Sequence, residues 1–138
     1  MPREKFYQVN VTYPKQLSEQ IQLAGKADLR LCLLSGAGAD RLVESSMTFA
    51  TDKGEIENYL SLHHPNFHTF SPSYIYPLEP RKEPNFMYRV CRWLYPLIKL
   101  MGANASITSV DLAAGLFKVG VFGHHKQIFE NADIRQMV

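Results

Sequence analysis

The fold of this chain is decided by residues 28–39, which read DLRLCLLSGAGA. Leu29–Leu34 form a short, nearly continuous apolar run, and a Gly-Ala-Gly-Ala turn follows shortly after it. A run of this length suits a strand that is buried on both faces of a parallel sheet. Periodicity alone does not separate such a strand from a buried helical segment, so the flanking elements have to support the assignment.

Helical and extended patterns alternate around this run. Pro14 in a first turn, apolar residues at helical spacing and a stop at Gly25 predict a helix over 14–26. Beyond the strand, the pattern predicts a helix over 45–62 and a second strand over 67–74. We place Phe49, Ile56 and Leu60 in the apolar stripe of the 45–62 helix, and Asp52, Glu55 and Glu57 at its polar positions.

The second half of the chain is predicted to be mostly helical. A proline-rich, charged loop over 72–84 precedes a mostly apolar helix over 85–101, which Pro96 must kink or split. The spacing of Thr108 and Asp111 is that of a capping box and predicts a helix through about residue 121. We read residues 127–138 as a short strand and a frayed helix. This order predicts an α/β layer fold with a small, mainly parallel sheet flanked by helices.

Length and composition fit one domain over residues 1–138. Apolar residues make up 46% of the chain and the formal net charge is +2, which excludes a disordered charged tail and argues against a nucleic-acid module. The N-terminus lacks the apolar region of a signal peptide, and no apolar stretch approaches the ~20 residues of a membrane span. We therefore expect a soluble, cytoplasmic protein with no nucleic-acid or membrane partner.

The glycine-rich turn after the first strand raises the possibility of a dinucleotide fingerprint, G-x-G-x-x-G. Gly36 and Gly38 supply the first two glycines, but Arg41 stands at the third position. Residues 40–44 have a loop pattern, whereas a phosphate-binding turn opens directly into a helix. The sequence therefore favours a tight turn at the carboxyl edge of the sheet.

The histidines and cysteines do not form a metal-binding pattern. His64 and His68 are four residues apart, but Pro65 lies between them and no third ligand stands at a matching spacing. Cys32 falls in the apolar strand and Cys91 in an apolar helix, where we expect inert thiols. No metal site is predicted.

A different pair of residues points to a family. Lys53 lies one turn after Phe49 on the predicted helix that follows the glycine turn. A tyrosine at position 49 would complete Tyr-x-x-x-Lys, a pair in which the ammonium lowers the pKa of the phenol for acid/base chemistry. Here the sequence resembles the short-chain dehydrogenase/reductase superfamily, specifically its atypical, epimerase-like branch.

Five segments carry this resemblance, in the order of the family. Residues 9–12 and the helix after them resemble the Val-Asn segment and the helix after the fourth strand of the family, and residues 33–40 resemble its fifth strand with the serine-bearing turn. Residues 53–57 (KGEIE) are similar to its Lys-Gly-x-x-Glu continuation. Residues 70–75 resemble its sixth strand, and residues 106–113 the segment that opens its last core helix.

The resemblance implies a partial Rossmann-like fold, the C-terminal half of an NAD(P)-binding protein. It implies NAD(P) as cofactor and Ser35 and Lys53 as catalytic residues, with Phe49 at the tyrosine position and therefore an inactive centre. The glycine turn that holds the cofactor pyrophosphate belongs to the family's first strand, before the part that this chain matches. The cofactor contacts implied by the resemblance are Lys53, Ser71, Pro72 and Ser73, of which Ser71 replaces an arginine of the family.

A half fold has consequences for partners. A sheet that lacks its first four strands has a bare edge, and such an edge pairs readily with another chain. We therefore expect a homo-oligomer, or a partner that covers the edge; relatives commonly pair through the two helices represented here by residues 14–26 and 46–62. Three interpretations stay open: an oxidoreductase-like or epimerase-like protein, a non-catalytic oligomerisation or interaction module, and a truncated gene product.

Overall fold

The computed structural model describes residues 2–26, 28–78, 90, 93–100, 102 and 104–138. Helices and short parallel strands alternate along these residues, which confirms the predicted α/β class with a small parallel sheet flanked by helices. In chain order, the elements are α1 (Arg3–Tyr7), a π-helical segment (Gln8–Thr12), α2 (Tyr13–Leu23), β1 (Leu31–Leu34), α3 (Thr48–His63), β2 (Phe67–Phe70), β3 (Tyr74–Tyr76), α4 (Tyr95–Leu100), β4 (Ser106–Thr108), α5 (Ser109–Phe122), β5 (Ile128–Phe129) and α6 (Asn131–Met137).

The main sheet has the strand order β1-β2-β5, and both pairings are parallel. Leu31 pairs with Phe67, and Thr69 with Ile128. The central strand β2 is buried at all four residues, whereas β1 is only half-buried and Leu34 is 45% exposed. The prediction of a first strand buried on both faces is therefore wrong: within the described part of the chain, β1 is an edge strand that pairs with β2 alone.

The predicted strand over 67–74 is in fact two strands. β2 ends at Phe70, and the chain leaves the main sheet at residues 71–73 to form β3. β3 pairs in parallel with β4 in a separate two-stranded sheet. The sequence pattern missed the break because the aromatic residues continue through it.

The first helical region begins at Arg3, eleven residues before the predicted start at residue 14. It runs through the π-helical segment into α2, where Pro14 is the second residue. In a regular α-helix the ring of Pro14 would collide with the carbonyl of Asn10, and the wider turn of a π-helix avoids this. The Asn10 side-chain amide donates to the carbonyl oxygen of Phe6 at 2.9 Å, which gives that carbonyl a partner.

The residues that α3 buries differ in part from those predicted. Ile56 and Leu60 are buried as expected, but Phe49 is 45% exposed. Asp52 and Glu57, assigned to polar positions, are both buried. The prediction for these two carboxylates is wrong because arginines from distant segments reach them, as described below.

Hydrogen bonds and ion pairs fasten the N-terminal helical region to α3. Arg3 holds the carboxylate of Asp52 in a bidentate pair, with N–O distances of 2.6 and 2.7 Å. The Tyr7 hydroxyl and the Lys15 ammonium both donate to Glu55 Oε1, at 2.8 and 2.6 Å. A buried contact of 2.7 Å between Ser18 Oγ and His64 Nε2 joins α2 to the end of α3.

The core lies on both faces of the main sheet. Ile56, Leu60 and Phe67 form a cluster under α3, and the larger cluster on the other face lies under α5 and α6. The N-terminal cap of α5 is confirmed, since Thr108 Oγ1 accepts from the Asp111 backbone N–H at 3.1 Å. The larger cluster comprises Phe70, Ile107, Leu112, Val119, Phe129 and Ile134.

The C-terminal prediction is confirmed as a short strand, β5, followed by α6. Within the helix predicted over 85–101, residues 85–89, 91, 92 and 101 lie outside the described residues, and α4 begins at Tyr95 with Pro96 in its first turn. Residues 79–84 of the predicted loop over 72–84 also lie outside them. No helix in the described ranges has the length and apolar character needed to cross a membrane.

Candidate functional site

The turns that follow β1, β2 and β5 meet at the carboxyl edge of the main sheet. A cavity of about 150 Å³ lies between them, lined by residues 36–39, Arg41, Ser71 and Glu130 among others. In open α/β sheets, ligands bind outside the carboxyl ends of the strands. This edge is therefore the candidate site. Of the predicted residues Ser35, Lys53, Ser71, Pro72 and Ser73, the two serines Ser71 and Ser73 line the cavity itself.

Ser35 is the first residue after β1, and the backbone holds it firmly. Its N–H donates to the carbonyl oxygen of Phe70 at 2.8 Å, and the next turn is tied down by the bond from Ala37 N–H to the Pro72 carbonyl at 2.9 Å. The hydroxyl oxygen of Ser35 is buried and has no hydrogen-bond partner within the described residues. A buried hydroxyl without a partner is costly, and such groups occur at sites that serve a ligand.

Phe49 packs directly against the serine-bearing turn. A Cβ atom placed on Gly36 would lie 3.5 Å from Cζ of the Phe49 ring, an ordinary van der Waals contact that places the ring against the turn. The Phe6 ring stands 6.0 Å away between centroids, and Lys53 Nζ lies 5.9 Å from the centroid of the Phe49 ring. The structure thus brings the Ser35–Gly36 turn, Phe49 and Lys53 together, although they come from two separate elements.

Lys53 is half-buried beside this ring. Burial lowers the pKa of its ammonium, and the nearby carboxylates of Glu57 and Asp52 oppose that shift. Both carboxylates are paired with arginines, and Lys53 makes no ion pair with any described residue. Its charge is therefore directed at the aromatic face, a favourable contact for a cation.

Arg41 is a site residue that the sequence analysis missed. Its Nη2 lies 2.6 Å from Glu57 Oε2 and donates to Ser71 Oγ at 3.3 Å. In the sequence, Arg41 stands out only because it replaces the third glycine of the fingerprint. No spacing rule links an arginine in a turn to a carboxylate in the next helix and a serine beyond the second strand, so tertiary structure was needed to find this group.

The loop that carries Arg41 is pressed against α3. A Cβ atom on Gly54 would lie 1.6 Å from the Asp40 carbonyl oxygen, and Asp40 N–H donates to the Ala50 carbonyl at 2.9 Å. The Asp40 carboxylate accepts from three later backbone N–H groups, those of Ser45, Glu44 and Leu42. These bonds, with that from Ser45 contributing most, lower the pKa of the Asp40 carboxyl. The glycine of the Lys-Gly pair thus lets the backbone of the loop lie directly against the helix.

The residues at this edge do not fit a whole dinucleotide. The cavity is about 150 Å³, whereas pockets for ligands of that kind hold roughly 300–1,000 Å³. Pyrophosphate binding needs a glycine turn that opens a helix, and α3 begins only at Thr48. Ser71 Oγ is engaged by Arg41, the Pro72 carbonyl by Ala37, and Ser73 N–H by Asn131 Oδ1 at 3.4 Å. The cofactor contacts implied for residues 71–73 are therefore already occupied by the protein itself.

The histidines that suggested a metal have other partners. His64 is buried against Ser18, and burial lowers the pKa of its imidazole. His68 Nδ1 lies 3.0 Å from the Lys126 carbonyl oxygen. The described residues contain no group of three or more side chains that is able to hold a metal ion. Cys32 is half-buried and burial raises the pKa of its thiol, while Cys91 lies outside the described residues.

Comparisons of this chain with protein-family models, with curated proteins and with solved structures found no match.

Proposed function

We propose that this chain is a degenerate short-chain dehydrogenase/epimerase-like protein of the NAD(P)-binding Rossmann superfamily. Ser35 and Lys53 keep the positions of catalytic residues, and Phe49 takes the place of the acid/base tyrosine. The observation that supports this most directly is the position of the Phe49 ring, which contacts the serine-bearing turn at Gly36 and lies 5.9 Å from the ammonium of Lys53. We assign the protein to the cytoplasm.

The same geometry argues against turnover by the chain alone. Phenylalanine has no proton to transfer, and the buried hydroxyl of Ser35 has no hydrogen-bond partner within the described residues. The chain's own contribution would be limited to a serine hydroxyl, the Lys53 ammonium and the turns at the sheet edge.

Cofactor binding tests this proposal. We expect titration of NADH and NADPH into the purified protein, followed by fluorescence and calorimetry, to give no saturable binding below millimolar concentration, because the chain lacks a pyrophosphate turn. Saturation at micromolar concentration would contradict the degenerate form and favour an active oxidoreductase or epimerase. A Lys53→Met variant, which keeps the length of the side chain and removes its charge, is the control for specific binding.

Restoring the phenol tests the geometry without any ligand. In a Phe49→Tyr variant we expect the new phenol to have a pKa below its usual value of about 10, because the Lys53 ammonium favours the phenolate. The measurement is a pH titration of the protein labelled with ¹³C at tyrosine Cζ, with the wild-type spectrum identifying the seven native tyrosines.

The matched control is the double variant Phe49→Tyr with Lys53→Met. Removing the ammonium should return the pKa of the new phenol to about 10 or above. If the phenol titrates at the same pH with and without Lys53, the two side chains do not form the proposed pair.

A second function is favoured by a separate observation, the free edge of β1. We propose, as the alternative, that the chain acts as a non-catalytic oligomerisation or interaction module. β1 pairs with β2 alone within the described residues, and an apolar groove of about 410 Å³ runs beside its free edge. An uncovered strand edge next to apolar surface is the usual place for pairing with another chain.

A further inference from the structure

We propose that the free edge of β1 binds the same edge of a second copy of this chain, so that two three-stranded sheets join into one across a two-fold axis. This inference rests on the alternative function above, the assembly role, and is independent of the dehydrogenase-like site. It uses the sheet edge, in contrast to the helix pairing that the family resemblance implies.

The backbone of β1 presents the hydrogen-bonding groups that such pairing needs. Leu31 N–H donates to the Asn66 carbonyl and Ser35 N–H to the Phe70 carbonyl, both on the β2 side. Because backbone groups alternate along a strand, the N–H and C=O of Cys32 and Leu34 point away from β2. No described residue forms a strand on that side.

A two-fold axis at Leu33 satisfies these groups. Antiparallel pairing about that residue places Cys32 opposite Leu34 of the second copy, and each such pair exchanges two hydrogen bonds. The two Leu33 residues then face each other as a non-hydrogen-bonded pair. The edge is therefore complementary to itself, as a two-fold interface requires.

The side chains around the edge are mostly apolar on both faces of the sheet, and Arg30, which precedes β1, donates to the Val121 carbonyl at the end of α5. The groove beside β1 is lined by Val9, Tyr13 and Leu17 of the helical region, each at least half exposed, and contains no charged residue. On the other face α5 crosses β1, since a Cβ on Gly120 would lie 4.0 Å from Cys32 Sγ, and α5 leaves Phe117 66% exposed. With no charge in the groove, two copies meet there without repulsion between like charges.

The mass of the wild-type protein in solution, measured by sedimentation velocity at tens of micromolar, tests the proposal. We expect twice the chain mass. In a Leu34→Pro variant the lost N–H is one that points away from β2, so the β1–β2 bonds remain and the mass should halve with an unchanged circular dichroism spectrum. Leu34→Lys should also halve the mass, because a charged side chain at a strand edge opposes pairing with another strand. This variant replaces the proline variant if the latter fails to fold.

A matched substitution and a cross-link make the test specific. Leu62→Lys changes a residue of α3 that is 84% exposed and is expected to leave the dimer intact. In a chain with Cys32→Ser and Cys91→Ser, Leu33→Cys should form an intermolecular disulfide on mild oxidation, since Cα atoms in a non-hydrogen-bonded pair lie at about 4.5 Å. Leu62→Cys in the same background should not.

A wild-type monomer, or a dimer that both Leu34 variants leave unchanged, would overturn pairing with a second copy. The apolar dye ANS then separates this failure from failure of the assembly role itself. If the monomer binds the dye strongly and the Leu17→Lys variant does not, the groove is open to a different partner. This result contradicts only the pairing with a second copy. A monomer that does not bind the dye overturns both.

Discussion

Replacing Gly54 by alanine is expected to destabilise the protein by about 3 kcal/mol or more, the upper end of what an overpacked contact costs. The added Cβ would lie 1.6 Å from the carbonyl oxygen of Asp40 and 2.9 Å from the backbone nitrogen of Arg41. Both are backbone atoms of a loop held by the Asp40 side chain, so neither moves away as a flexible side chain would. The helix or the loop has to shift, and Arg41 shifts with it.

Urea unfolding at one fixed protein concentration measures this effect. Gly120→Ala is the matched control, because it makes the same change inside another helix, where the new Cβ would lie 4.0 Å from Cys32 Sγ. Alanine is the better helix former, so this variant should be stabilised by roughly 0.5–1 kcal/mol. Equal stabilities for the two variants would contradict the close contact between α3 and the loop.

Replacing Arg41 by alanine is expected to cost about 2–3 kcal/mol, near the lower end of the range for breaking a buried ion pair. Glu57 is buried, and its carboxylate would lose the guanidinium that lies 2.6 Å away. The side chain of Arg41 is itself 36% exposed, and water screens part of the interaction. Ser71 would lose a hydrogen-bond donor in the same variant.

A double-mutant cycle separates the cost of leaving the Glu57 charge unpaired from the other effects of removing Arg41. Glu57→Gln removes the charge and keeps the shape, so the double variant Arg41→Ala with Glu57→Gln should be more stable than Arg41→Ala alone. Arg41→Lys keeps a positive charge but not the planar fork, and we expect an intermediate stability. If the two single effects simply add, Arg41 and Glu57 do not depend on each other.

The sequence predicted the fold class because hydrophobic pattern and local chemistry both act over a few residues. The apolar run that became β1, the capping box at Thr108 and the strand followed by a helix over 127–138 are all local signals. The π-helical segment is not: it depends on how a helix accommodates Pro14 once Arg3 and Tyr7 are held by α3. The break between β2 and β3 depends in the same way on β4, which lies about thirty residues later.

The site was predictable only in part, for the same reason. The spacing of Phe49 and Lys53 put them on one helix face, and the resemblance linked them to Ser35, which the structure places nearby. The partners of Asp52 and Glu57 could not be predicted from the sequence, because Arg3 and Arg41 approach them from other segments. Arg41 also lines the small cavity, and no local pattern pointed to it.

The parallel order of the main sheet has a consequence for how the chain folds. β1, α3 and β2 are consecutive, so they can form one unit soon after they are made, whereas β5 joins Thr69 to Ile128 across a long stretch of chain. Closing a contact between residues so far apart is slow, because the chain entropy is lost before the contact forms. During that interval, the backbone groups at both edges of the β1–β2 pair have no strand to bind. The protein concentration during synthesis then determines whether β5 or another molecule pairs with β2 first.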